Sequence, residues 1–182
     1  MIQSRRNFLR SAGLMAAACT LTACTVTTNG EMTALTLNTA RVKAYAQAGI
    51  NAVTTILSIT AVSTAMGTPA VAVIEAAGGA LSTAFSALAS ETNGRLTVSY
   101  DNTSFKTRID TLLVDLNNVA LALRAGLVAA QQTVTNSVIN TAIITFNALQ
   151  TVIDAFEGVL GINMTNVTDE QEATALSVLA VQ

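Results

Sequence analysis

Apolar residues recur every three or four positions from Phe105 to Ala130, through Ile109, Leu112, Leu116, Val119, Leu123 and Gly126. That alternation is the seam of a helix packed lengthwise against other helices. A strand cannot present it to one side, because strand side chains alternate face at every residue. Leu113, Ala120 and Leu127 widen the stripe, and Asp101 or Thr103 is placed to cap its start. The pattern resumes at Val138 and continues through Ala142, Thr145, Leu149, Val152, Phe156 and Val159. No Gly or Pro stands between Gly126 and Gly158, but Thr133 to Asn136 are weak helix formers and mark a bend. One unbroken rod would run roughly 55 residues and about 80 Å. Two antiparallel helices suit a compact domain better; spacing alone leaves both open. Gly158 and Gly161 close the pattern.

The rest of the chain is read against this helix. A second helix is expected from Asn38 or Thr39, as N-cap, to about Met66, where Gly67-Thr68-Pro69 breaks the chain. A third covers about 70–91, with Val71, Ile74, Gly78, Leu81, Phe85 and Leu88 as its seam. Gly78-Gly79 lies inside it, where glycine costs about 1 kcal/mol relative to Ala and often permits close backbone approach. Asn93-Gly94 signals a turn, and Leu96, Val98 and Tyr100 alternate with polar residues as a short strand or extended connector. The expected fold is all-α: an antiparallel helical bundle or long helical hairpin of about four helices, with a short extended connector near 95–100. The helical domain spans 39–161. Residues 162–182 form a tail or a short helix capped around Thr168-Asp169-Glu170. Hydrophobic residues make up 51% of the 182, which leaves too much apolar material for a disordered polar tract.

The N-terminus carries the most specific signal. Ser4-Arg5-Arg6-Asn7-Phe8-Leu9-Arg10 precedes a modest apolar run, Ser11 to Ala23, which is too short to cross a bilayer. The segment resembles the twin-arginine (Tat) export signal, S/T-R-R-x-F-L-K, with Ser4, Arg5, Arg6, Phe8 and Leu9 in register and only the last position changed, Arg for Lys. Leu21-Thr22-Ala23-Cys24 is similar to the lipobox of bacterial lipoproteins. The two resemblances imply a signal peptide over 1–23, cleavage before Cys24, diacylglycerol on its thiol, and a Thr-rich lipidated tether over 24–38. They also imply passage through the Tat machinery and residence on the periplasmic or cell-envelope face of a membrane. Plain cleavage near Ala16-Ala17-Ala18 is the rival, and it would leave Cys19 and Cys24 together. A single acyl chain holds marginally, and two or more hold firmly.

Chemistry is harder to find. There is no histidine, which removes the commonest general base and metal ligand and any Ser-His-Asp or Cys-His site. Cys19 and Cys24 do not make a zinc pattern, and no Gly-rich phosphate loop with Lys is present. Catalytic, cofactor-binding and metal-binding residues are therefore expected to be none. Asp154 and Glu157 share a helical face, but paired carboxylates there read as a solvated surface, as do Asp110 and Asp115. Lys106 and Asp110, four apart, read as a surface ion pair. Tyr45 and Tyr100 read as packing residues. Once the leader is removed, six basic residues remain against eleven acidic ones, so nucleic acid is a poor partner.

Between Lys43 and Glu75 there are 31 uncharged residues. The stretch 44–66 is long enough to span a membrane, yet it holds Gln47, Asn51, four threonines and two serines, so a buried bundle helix is expected. The expected role is that of an exported, lipid-anchored, non-enzymatic envelope protein with a structural or interaction function. Its partners would be the membrane, the export machinery, and a second copy or an envelope protein to cover seams that four helices leave exposed. The alternative is a membrane-active or pore-like protein that inserts the uncharged 44–90 hairpin. An enzyme working with carboxylates or hydroxyls alone is the third.

Overall fold

The structure, a computed structural model, describes residues 24–29, 32–92, 96–100, 103–163 and 167–181. The export-signal residues Ser4, Arg5, Arg6, Phe8 and Leu9, together with Cys19 and the Asn93-Gly94 turn, lie outside the described residues. The chain is mostly helical. Among the described residues are six helices, α1 (Thr39–Ser58), α2 (Thr60–Met66), α3 (Thr68–Thr92), α4 (Thr103–Ala130), α5 (Asn136–Val159) and α6 (Asp169–Val178). Three strands accompany them, β1 (Cys24–Asn29), β2 (Met32–Asn38) and β3 (Thr97–Ser99).

Asn38 caps α1, its side-chain oxygen accepting from the backbone N–H of Ala40 (2.9 Å) and Arg41 (3.3 Å). The helix expected to reach Met66 stops at Ser58. Ile59 is extended (φ −78°, ψ 92°), and α2 leaves at 90° to α1. Hydroxyl residues flank the break. Thr54 Oγ1 donates to the Ile50 carbonyl (3.0 Å) and Ser58 Oγ to the Thr55 carbonyl (2.7 Å). In the first turn of α2, Ser63 Oγ donates to the Ile59 carbonyl at 3.4 Å. Side chains that compete for ladder carbonyls weaken a helix slightly.

Gly67, at φ +78°, turns the chain into α3, where Pro69 occupies the first turn and needs no N–H partner. Helices α3 and α4 run antiparallel. Gly126 of α4 lies against Ile74 near one end, and Glu91 of α3 pairs with Arg108 near the other. The long 103–159 pattern resolves into two helices, with the break at residues 131–135. Asn117 of α4 meets Glu157 of α5 across the reversal.

The strands form one antiparallel sheet in the order β1-β2-β3. Leu37 pairs with Cys24 on one side and Val98 on the other. Leu37 and Val98 are both buried in the helical core, so the sheet closes one end of the helices. Residues 24–38, expected as a tether, thus contain two paired strands, and the connector near 95–100 is the third. The expected all-α class stands in this broad sense, and among the described residues the chain adds a small sheet to six helices where about four helices and a lone extended connector were expected.

Helix α1 is central: Tyr45, Ala48, Ala52 and Ile56 are fully buried among α3, α4 and α5. Tyr45 tilts against Phe156 of α5, ring centroids 5.0 Å apart. The fully buried Leu81, Leu112, Leu116, Leu123 and Leu149 each contribute roughly 1.5–3 kcal/mol by leaving water.

Candidate functional site

Arg41 and Tyr45 stand four apart on α1 and therefore share a face. Helix α6 brings Glu172 onto that face. Arg41 Nε donates to Glu172 Oε1 (2.7 Å) and to Tyr45 Oη (2.8 Å), and Tyr45 Oη donates to Glu172 Oε1 (3.0 Å). Arg41 Nη2 donates to Glu172 Oε2 and, at 3.3 Å, to Asp169 Oδ1. Glu172 is only 6% exposed and Tyr45 not at all, so this is a carboxylate below the surface held by a guanidinium and a phenol.

The electrostatics follow from burial. Burial, then the Glu172 charge, pushes the Tyr45 phenol well above its ordinary range, against the opposing pull of Arg41. Burial works against the Arg41 cation, but the bond to Glu172 and the charges around it hold the guanidinium above its ordinary value. Neither group exchanges a proton near neutrality. The arrangement is a clamp between α1 and α6.

A second tie reinforces it. Asn51 Nδ2 donates to the Leu179 carbonyl at 2.8 Å, satisfying one of the acceptors that a helix C-terminus leaves open, and Gln47 Nε2 donates to Asn51 Oδ1 at 2.8 Å. At its other end α6 has a capping box: Thr168 Oγ1 accepts from Gln171 N (3.2 Å), and Gln171 Oε1 accepts from Thr168 N (2.9 Å). The C-terminal segment, expected as a tail or a short helix, contains a capped helix tied to α1. A cleft of about 370 Å³ lies between α5 and α6, floored by Ala148 and Ala175 and rimmed by Asn147, Thr151, Glu170 and Gln171.

The candidate residues read from sequence are dispersed. Cys24 opens β1, opposite Leu37. Lys106 Nζ donates to Asp110 Oδ2 at 2.7 Å as the spacing implies, and Tyr100 joins them, donating to Asp110 Oδ1 while Lys106 sits 4.7 Å from its ring centroid. Partial burial opposes ionisation of Asp110, but the bonds from Lys106 and Tyr100 outweigh it and hold its carboxyl below the usual range. Burial pushes the Asp115 carboxyl up. Glu157 accepts from Asn163 (3.2 Å) and Asn117 (3.4 Å). Burial, and then the Glu157 charge, pushes the Asp154 carboxyl up.

That shift predicts a sign. A carboxyl raised in the fold is penalised while ionised, above its folded value, and the penalty vanishes below the unfolded value. Asp154→Asn is expected to raise the melting temperature slightly at pH 7. The gain should shrink as the pH falls through the carboxylate range. Thermal melts of both chains at pH 3.5 and 7 check this.

The clamp residues were missed because Arg41 and Glu172 are 131 positions apart. The available signals were the i,i+4 placement of Arg41 and Tyr45 and the Thr168-x-x-Gln171 box that fixes the start of α6. Among the described residues, no group of three or more His, Cys, Asp or Glu is placed to hold a metal ion. Among the described residues three helices, α3, α4 and α5, are long and apolar enough to cross a membrane, and the bent pair α1 and α2 would count as a fourth if taken as one span. Compared with family models, curated proteins and solved structures, the chain matches none.

Proposed function

We propose that this is an exported, lipid-anchored, non-enzymatic protein of the bacterial cell envelope, whose body is an antiparallel helical bundle with a structural or interaction role. The observation that carries it is the pairing of S-R-R-N-F-L-R with L-T-A-C at the distance of one signal core. The clamp supports it, since Arg41 and Tyr45 hold their protons and, with Glu172 as their acceptor, fasten α6. Tat-type export carries folded cargo, and a body made mostly of local helical contacts folds quickly enough to suit that route. With Cys24 acylated, the β1 strand that begins there would hold the bundle close to the lipid surface rather than on a long leash.

Mass spectrometry of the mature N-terminus from membrane fractions tests this. The expected result is a chain beginning at an acylated Cys24, which Cys24→Ala converts to an unlipidated form. An unmodified soluble chain cut elsewhere sinks the proposal.

A second reading, insertion of the 44–90 hairpin into a bilayer, is favoured by one observation. Only 17% of the most apolar window of α3 is buried. Protease protection of residues 50–90 on liposomes would favour insertion; full digestion would favour the surface-held bundle.

A further inference from the structure

Helix α4 carries two seams. The inner one, from Phe105 to Ala130, is buried throughout. Two residues further along at every step runs a second series with the same alternation of three and four: Thr111, Val114, Asn118, Leu121, Ala125 and Val128. All six are exposed, with Val114 at 56%, Leu121 at 64% and Val128 at 55%. An offset of two residues is about 200° around a helix, so this series lies on the opposite side of α4 from the core. Asn117, bonded to Glu157 of α5, borders it on one side, and Arg108, paired with Glu91 of α3, on the other. The outer face is therefore open between α3 and α5.

We propose that this outer seam pairs with the same seam of a second copy of the chain, antiparallel, about a two-fold axis at Asn118. A sustained 3.5-residue period is the spacing that another helix reads by knobs-into-holes packing. The register is self-complementary. Asn118 meets Asn118 of the second copy, so each amide has a donor and an acceptor opposite. Thr111 then lies opposite Ala125, and Val114, level with position 122, packs nearest Leu121 on the seam, on both sides of the axis.

Charge selects the direction. In the antiparallel register the flanking Asp110 faces Arg124 of the second copy, and this occurs twice. In a parallel pair Asp110 would face Asp115 of the second copy, also twice, setting like charges together. Asn118 is the one amide in the seam, and a polar residue at such a position is a known device for fixing register. The same residue disfavours lipid as the occupant, because a bilayer offers an amide no partner. This inference is independent of the anchor, and its test removes the acyl chain.

The experiment is sedimentation equilibrium of the purified full chain carrying Cys19→Ser and Cys24→Ser. The expected mass at micromolar concentration is twice the 18.7 kDa of one chain. Leu121→Lys should weaken association at least tenfold with an unchanged helical circular dichroism spectrum. Asn118→Cys in the same background should form a disulfide-linked dimer on mild oxidation. A monomer at all concentrations overturns the proposal, as does a dimer indifferent to Leu121→Lys. A dimer that Val114→Cys cross-links but Asn118→Cys does not overturns the register. A monomer that binds phosphatidylglycerol vesicles through Leu121 assigns the face to lipid instead.

Discussion

Arg41→Ala should lower the unfolding free energy by about 3 kcal/mol, the lower part of the range for removing one partner of a buried ion pair. The Glu172 side chain is only 7% exposed, and the guanidinium supplies bonds to both of its oxygens. Without it, a carboxylate is left below the surface with Tyr45 as its remaining partner from α1. The lower end is expected because the Arg41 side chain keeps 20% of its exposure and water can enter. Arg41→Lys should recover little of the loss, since an ammonium cannot reproduce the two-pronged geometry. The double variant Arg41→Met/Glu172→Leu should recover most of it, because apolar groups of similar volume carry no desolvation penalty. Urea titrations of the four chains close the cycle. If Arg41→Ala stays within about 0.5 kcal/mol of the parent, the value typical of exposed pairs, the clamp is only a surface contact.

The same variants separate global from local loosening. Helix α6 has ten residues and reaches the rest of the chain mainly through α5 and α1. Loss of the clamp should therefore show first as faster amide exchange over 169–178, with α4 and α5 still protected. The Asn51 bond to the Leu179 carbonyl, at the far end of α6, limits how freely the helix can swing. Adding Asn51→Ala should extend the exchange to the whole of α6.

What could be read in the sequence and what could not divide along one physical line. The α4 seam, the break near Thr133, the Asn38 cap and the Gly67-Thr68-Pro69 turn are each set by residues within a few positions of one another, and each stands in the structure. The sheet required pairing partners far apart: β3 joins β2 across some sixty residues, and Thr97 to Ser99 alone gives no hint of that. A local clue did exist, since Asn29-Gly30 sits between two Thr-rich β-branched runs, the composition of a hairpin. The kink at Ile59 has no Gly or Pro at it, so neither a breaker residue nor apolar periodicity marks it. The clamp joins the two ends of the chain, so only the folded arrangement brings Arg41 to Glu172. Gly78 and Gly79 look equivalent in sequence. In the fold a Cβ on Gly78 would meet Val53 Cγ1 at 3.3 Å, whereas one on Gly79 would meet nothing within 4 Å.

Leu116→Ala should cost about 3–4 kcal/mol, as expected where a fully buried leucine is removed and its neighbours relax only in part. Gly49 makes this site informative. A Cβ there would lie 2.5 Å from Leu116 Cδ2 and 2.6 Å from Leu81 Cδ2, so α1 approaches α3 and α4 at a distance only a missing side chain allows. Gly49→Ala alone should therefore destabilise: displacing two packed leucine ends costs about 1–3 kcal/mol, and the helix propensity gained by alanine returns about 1 kcal/mol. In the Leu116→Ala chain the balance reverses. One obstructing methyl is gone, Leu81 can swing into the vacated volume, and the new Cβ fills part of the cavity. The double variant should thus be more stable than the sum of the singles by about 1–2 kcal/mol, the coupling expected of residues in direct contact. Thermal and urea unfolding of the four chains measures it. Strict additivity would mean that α1 does not approach α3 and α4 at Gly49, and the close three-helix junction would have to be abandoned.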